Sequence, residues 1–341
     1  METHAPTSPA VLPDSGIPFL AEGLDPALAQ VALQAALQSW RPKASRVEIR
    51  GARLVRHKPG RRALIEYEAV FTGEDGVEHV ELLGKIRAKG IDRKTPAVMR
   101  RLRDAGFAPH SLTGGGAFVP EVAGEVPEWH MWLQSKVAGA PLSAWPSGHH
   151  GMQLARAVAH ALLKLHHTEA KSSRRHTAEN ELQILQERLV RLAAARQDWE
   201  SRLHRLLAAC RDLTRTLHER PLSGIHRDFH PGQILADGER LWLLDFDLYC
   251  QGDPALDVGN FLGHLTEQSI RESDRSEVLS EVQQAVASHY CEHADAHCRS
   301  AIESWHTLTL ARHVSISTEF PERRPFTGAL LACCEKRLGL S

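Results

Sequence analysis

Two linked stretches decide how this chain is read. The first is Gly224-Ile-His226-Arg-Asp228-Phe-His230-Pro-Gly-Gln233-Ile-Leu235. The second, after the turn Asp237–Arg240, is Leu241-Trp-Leu-Leu244-Asp245-Phe246-Asp247. Together they form a polar loop followed by two short apolar strands around an Asp-Gly turn. That hairpin holds Asp228 and Asp245 at opposite ends of one compact unit, with Gln233 between them in sequence. Two carboxylates and an amide brought together in this way suit magnesium on a polyphosphate and a base for an incoming hydroxyl. An isolated Asp usually caps a turn, so the extent of the pattern is what points to chemistry.

Working outward, the first part of the chain reads as strands and the last as helices. Asp25–Trp40 has Asp at the start, Pro just inside and apolar residues at helical spacing, which predicts a capped amphipathic helix. Strand-like runs follow at Arg46–Arg56, Arg62–Phe71 and Val77–Ala88, with hairpin-length linkers at His57–Arg61 and Gly73–Gly76, an antiparallel meander. A helix is expected over Thr95–Ala105, and short strands at Ala117–Pro120 and His130–Lys136. Beyond Ser143 the pattern is mostly helical, at Met152–His167, through Ala178–Leu217 and onward to the end. The expected class is α+β, with residues 1–24 a flexible arm, 25–137 a first lobe and 138–341 a helical second lobe.

Composition sets the outer limits. The chain has 341 residues, 42% hydrophobic and 24% charged, enough for two lobes with their own cores. No apolar run approaches the roughly 20 residues that span a bilayer. The start lacks the basic and apolar regions of a secretory signal, so a cytoplasmic location is expected. Six irregularly spaced cysteines read as free thiols. The cluster of His289, Cys291, His293, His297 and Cys298 reads as chance in a chain with 21 histidines rather than as a zinc site. Near-neutrality, 41 basic against 42 acidic residues, speaks against coating nucleic acid. It conceals a split: residues 41–110 hold 17 Lys and Arg against 9 Asp and Glu, and the rest of the chain 24 against 33.

His226-Arg-Asp228-x4-Gln233 resembles the kinase catalytic loop H-R-D-x-x-x-x-N, and Asp245-Phe246 the start of the metal-binding D-F-G. Asp247 in place of Gly, and the later Gly252-Asp-Pro254-x-x-Asp257, resemble the aminoglycoside phosphotransferase and choline kinase-like family. The resemblance runs from about Arg46 to Leu310 and is specific at residues 224–260. It implies a two-lobed protein-kinase-like fold, with a small antiparallel-sheet N-lobe and a large mainly helical C-lobe.

The same resemblance implies roles. Asp228 would orient or deprotonate the acceptor hydroxyl. Asp245 would ligate magnesium bridging the ATP phosphates, and Gln233 stands where a second metal ligand, usually Asn, is found. Lys85, the one cation in an otherwise apolar strand stretch, fits the lysine that holds the α- and β-phosphates. Gly60 and Arg61 sit in the phosphate-covering turn, where their backbone amides would reach phosphate oxygens. The run Met131–Val137, with Gln134 and Lys136, resembles the hinge that pairs with adenine. The glutamate that usually pairs with the lysine is missing: Lys94–Ala105 has only Asp104 as an acid, so Asp104 reaches, another acid substitutes, or Lys85 is held differently.

The expected function is an ATP- and magnesium-dependent phosphotransferase acting on a hydroxyl of a small molecule of aminoglycoside, amino-alcohol or sugar type. The alternative is a kinase-like pseudoenzyme that binds nucleotide or a partner without turnover. Neither a nucleic-acid nor a membrane partner is expected. For a cationic acceptor the candidate carboxylates are Asp253, Asp257, Glu267, Glu319 and Glu322, with Asp253 and Asp257 better suited to bracing the catalytic loop.

Overall fold

The structure is a computed structural model that describes residues 13–109, 116–217 and 220–340. It divides into two compact units, the first running to Arg100 and including Pro120–Val137, the second comprising Arg101–Val119 and Ala138 onward. No helix among the described residues is long and apolar enough to cross a membrane.

The first unit is built on a five-stranded antiparallel sheet. Its strands are β1 (Ala44–Lys58), β2 (Arg62–Gly73), β3 (Gly76–Arg87), β4 (Val122–Val126) and β5 (Met131–Ser135), in the order β1-β2-β3-β5-β4. Helix α1 (Pro26–Trp40) begins where the Asp25 carboxylate accepts from the amides of Ala27 and Leu28, with Pro26 in the first turn. Its Ala29, Leu33 and Leu37 pack with Ile65, Tyr67, Leu82, Ile86, Met131 and Leu133 on one face of the sheet. Because side chains alternate along a strand, Leu64, Glu66, Leu83, Lys85, Trp132 and Gln134 share the opposite face, as the register confirms. The covering helix thus decides which face of β3 presents Lys85.

Two expectations change here. Residues 13–24 are no loose arm: Ile17 and Leu20 are buried in the sheet core, and Leu20–Gly23 forms a helical turn. Two well-placed apolar residues outweigh the Pro and Ser around them; residues 1–12 lie outside the described part. Residues 101–119 also leave the first unit. Ala117–Phe118 pairs in parallel with Leu241–Trp242, and the Lys164 ammonium donates to the carbonyls of Gly106 and Ala117. Helix α2 (Lys94–Leu102) accordingly stops short of the expected Ala105, passing into a π-turn whose Gly106 has φ 98°.

The second unit is mainly helical. Helices α3 (Gly148–His166), α4 (Ala178–Ala195) and α5 (Glu200–Arg215) precede the motif; α6 (Ala255–Arg271), α7 (Ser276–Cys291), α8 (Cys298–Glu319) and α9 (Thr327–Arg337) follow it. The long Ala178–Leu217 stretch is two helices, broken where the Arg196 guanidinium forks onto Asp198. Between the two groups lie short strands: β6 (Ser223–Ile225) pairs with β9 (Cys250–Gly252), and β7 (Ile234–Asp237) with β8 (Arg240–Leu243). A Cβ at Gly224 would fall 1.9 Å from the Tyr249 hydroxyl, so β6 can pass this ring only as glycine.

Candidate active site

The loop after β6 is shaped by one buried acid. Asp257, fully buried near the start of α6, accepts the amide of His226 on Oδ2 and that of Arg227 on Oδ1, each at 2.7 Å. The His166 ring donates to the same Oδ2 at 3.1 Å and is itself oriented by the Tyr290 hydroxyl. Arg227 is thereby held at φ 71°, a left-handed conformation that a non-glycine residue adopts only under constraint, and Asp228 follows directly. On the other side of the loop Asn260, also fully buried, donates to the Phe229 carbonyl at 3.0 Å. Arg312 holds the Asn260 oxygen at 2.5 Å and the Glu181 carboxylate at 2.7 Å. Asp228 therefore sits between two backbone segments tied to α6.

Asp245 belongs to the same hydrogen-bonded unit. The His226 Nε2 donates to the Leu244 carbonyl at 2.7 Å, and the Leu244 amide donates to the Gln233 carbonyl at 2.9 Å. Asp245 itself has φ 61°, and the Gln233 amide lies 3.5 Å from its Oδ2. A side-chain amide presents oxygen or nitrogen by a simple flip, so Gln233 and Asp245 supply two hard oxygen donors at one place, the donor type magnesium takes. Arg174 fastens the segment beyond by donating to the carbonyls of Asp247 and Tyr249. His230, whose pKa is lowered by burial, feels the negative charges of both Asp228 and Asp245, which oppose that shift. Gln233 and Asp245 thus come together, and Asp228 and Asp245 both act on His230.

The first unit carries the other expected residues. Lys85 has no carboxylate partner among the described residues; its ammonium lies over the Trp132 ring, 5.0 Å from the centroid. Of the three ways to hold it, a cation–π contact is the one found. Lys136 is tied down, its ammonium 3.0 Å from Glu66 and 2.8 Å from Glu81 and its amide on the Glu81 carbonyl. Gln134 is buried on the Lys85 face of the sheet. At the β1–β2 turn the two amides expected to cover phosphate are engaged within the unit: Gly60 donates to the Asp14 carboxylate and Arg61 to the Lys58 carbonyl. The Gly60 amide and the His57 ring hold the Asp14 pKa down, and Gly60 itself has φ 66°.

Sequence reasoning missed Asn260 and Arg312. Asn260 could have been found, because it lies three residues after Asp257 and so on the same helical face. Arg312 and Glu181 are brought in from distant helices, and no local spacing marks them.

Residues 93–298, more than half of the chain, match the model of the phosphotransferase enzyme family, and the chain belongs to that family. Within it, the fold is that of the aminoglycoside phosphotransferase and choline kinase-like proteins, a branch of the protein-kinase-like fold. A choline kinase from Cryptosporidium parvum Iowa II superposes with a TM-score of 0.60 at 12% identity, over 92% of this chain and 95% of that one. A choline/ethanolamine kinase family protein from Mesorhizobium loti gives 0.52 at 17%, over 84% and 88%. A spectinomycin phosphotransferase in complex with ADP and spectinomycin gives 0.52 at 10%, over 88% and 93%. At these identities the likeness is one of fold. No curated protein matches the chain.

Proposed function

We propose that this protein transfers the γ-phosphate of ATP to a hydroxyl of a small molecule. One observation carries the reading: a fully buried Asp257 clamps the two amides that set Asp228, while His226 ties the same loop to the strand end bearing Asp245. Two residues held in left-handed backbone next to or at the reacting acids are the kind of strain that functional sites retain.

In this reading Asp228 accepts the proton of the attacking hydroxyl, or orients it, and Lys85 contributes positive charge to the nucleotide phosphates. Asp245 and Gln233 would hold magnesium, which when bound neutralises phosphate charge. Gln233 reaches one methylene further than the usual Asn, and its proximity to Asp245 supports both acting on one ion. Lys58, Arg61 and Arg62 give the β1–β2 turn a positive field through their side chains, since its amides are already used. Lys85 without a carboxylate partner favours the alternative, a nucleotide-binding pseudoenzyme, and the two part on turnover.

The test is thermal melting with and without magnesium and ATP, followed by ADP release across a panel of hydroxylated small molecules. Stabilisation by magnesium–ATP and acceptor-dependent ADP release are expected. Asp228→Asn should lower kcat by about 10²- to 10⁴-fold, the range of a positioned base. An unshifted melting point sinks the kinase reading; nucleotide binding without ADP release for any acceptor favours the pseudoenzyme.

A further inference from the structure

Four of the five carboxylates that could have received a cationic acceptor are engaged elsewhere, and the fifth, Glu322, is exposed. Asp253 accepts from the Trp305 indole at 2.8 Å and the Ala255 amide at 3.0 Å, and Asp257 clamps the catalytic loop. Glu319 pairs with Arg188 at 3.0 Å, and Glu322 is exposed on the turn after α8. Glu267 is buried and faces two guanidiniums, Arg271 at 2.8 Å and Arg323 at 3.9 Å. Arg271 has a second acid in Glu272 at 3.5 Å; among the described residues Arg323 has no carboxylate besides its share of Glu267, and its guanidinium lies over the Phe320 ring, 5.2 Å from the centroid.

Two residues after Asp228, His230 begins a run of imidazoles that reaches α6 at His264, three residues before Glu267, the acid that Arg323 faces. The His230 ring stacks on His264, with centroids 4.4 Å apart and planes 12° off parallel. His264 meets His313 Nε2 to Nε2 at 3.3 Å. Burial lowers the pKa of all three rings, His313 to about 3, and Arg323 pushes each further down. An imidazole ring can donate to or accept from hydroxyls, and beyond His264 the half-buried Arg323 shares the single buried acid Glu267 with Arg271.

We propose that the acceptor is a hydroxylated compound carrying a carboxylate or phosphate, whose anionic group docks on Arg323 while its hydroxyls follow His264 and His230 towards Asp228. This rests on the kinase reading and adds the class of acceptor to it. A guanidinium matches either anion as a forked donor, and a polycation would meet a positive charge at this point.

The test uses sets that share a carbon skeleton and differ in charge: glucuronate, glucose 6-phosphate, glucose and glucosamine, and glycerate, glycerol 3-phosphate, glycerol and 3-amino-1,2-propanediol. Binding to the full chain is measured by calorimetry, with and without ADP and magnesium. An anionic member of at least one set should bind tightest, and the carboxylate and phosphate arms tell which anion is read. Arg323→Gln should weaken the anionic member about 10- to 100-fold, leave the neutral member of that set unchanged and so erase the preference; Arg323→Lys should restore part of it. A merely structural role for Arg323 would weaken both members alike, and that result overturns the proposal. So does a preference for amines, or no preference in either set. ADP binding in the same titrations keeps the two readings apart: nucleotide bound without anion preference refutes the acceptor class alone, and no nucleotide bound refutes the kinase reading.

Discussion

Asp257 never faces the reacting atoms in this reading, yet it receives three donors: the amides of His226 and Arg227 and the His166 ring. Each is a hydrogen bond to a buried carboxylate, worth about 1.5–3 kcal/mol. Asp257→Asn keeps one acceptor oxygen and turns an N–H donor toward one of the loop amides. The variant should melt lower and lose at least about tenfold in kcat, with a smaller change in the KM for ATP, because it releases Asp228 rather than the nucleotide. Steady-state kinetics beside a melting curve check this; an unchanged kcat would mean that Asp228 is positioned without the clamp.

At the scale of elements, Glu181 on α4, Arg312 on α8 and Asn260 on α6 form a buried chain that ends on the Phe229 carbonyl. Burial alone pushes the Glu181 carboxyl up, but the Arg312 charge and the His176 hydrogen bond together bring it down to about 2 from 4.5. A group with a lowered folded pKa contributes stability above its unfolded value and loses it as pH falls toward the folded one. The contribution is therefore complete above about pH 4.5 and fades toward about pH 2. Glu181→Gln leaves Arg312 buried without its ion partner and should cost about 3–5 kcal/mol in urea unfolding at neutral pH. The cost should shrink as the comparison moves into that acid window. Such links show where sequence reading stops. The His226–Asp247 stretch was legible because chemistry packs its residues within one hairpin, and the meander because β-formers alternate between turns. The chain through α4, α6 and α8 joins residues up to 131 apart, which no periodicity encodes.

Across the whole molecule the near-neutral total is the sum of unlike parts, with 17 basic against 9 acidic residues over 41–110 and 24 against 33 elsewhere. The unit that carries Lys85 is itself close to neutral, with 16 basic against 15 acidic residues over 1–100 and 120–137. The positive field that attracts polyphosphate, and that salt screens, is local to the segment around Lys85. Raising KCl from about 50 to about 500 mM should weaken ATP binding by roughly tenfold, and Lys58→Gln with Arg61→Gln should flatten that dependence in calorimetric titrations. The two-lobed fold was legible in the sequence, but the expected basic lobe was not borne out, because the acids of 1–40 and 120–137 belong to the same unit and balance it. The allocation of residues 101–119 was not legible, because it depends on the pairing of Ala117–Phe118 with Leu241–Trp242, a contact between segments far apart in the chain. The burial of Ile17 and Leu20 was hidden in the same way, by a composition that elsewhere signals loose chain.

The cation over Trp132 has a practical consequence. An ammonium on an indole face alters the ring's emission, and this ring is buried, with 1% of its surface exposed. Whatever draws Lys85 away, or neutralises it, changes the light that Trp132 emits. With the chain's other six tryptophans replaced, Trp132 becomes an internal optical gauge of the strand lysine, readable in real time without a label.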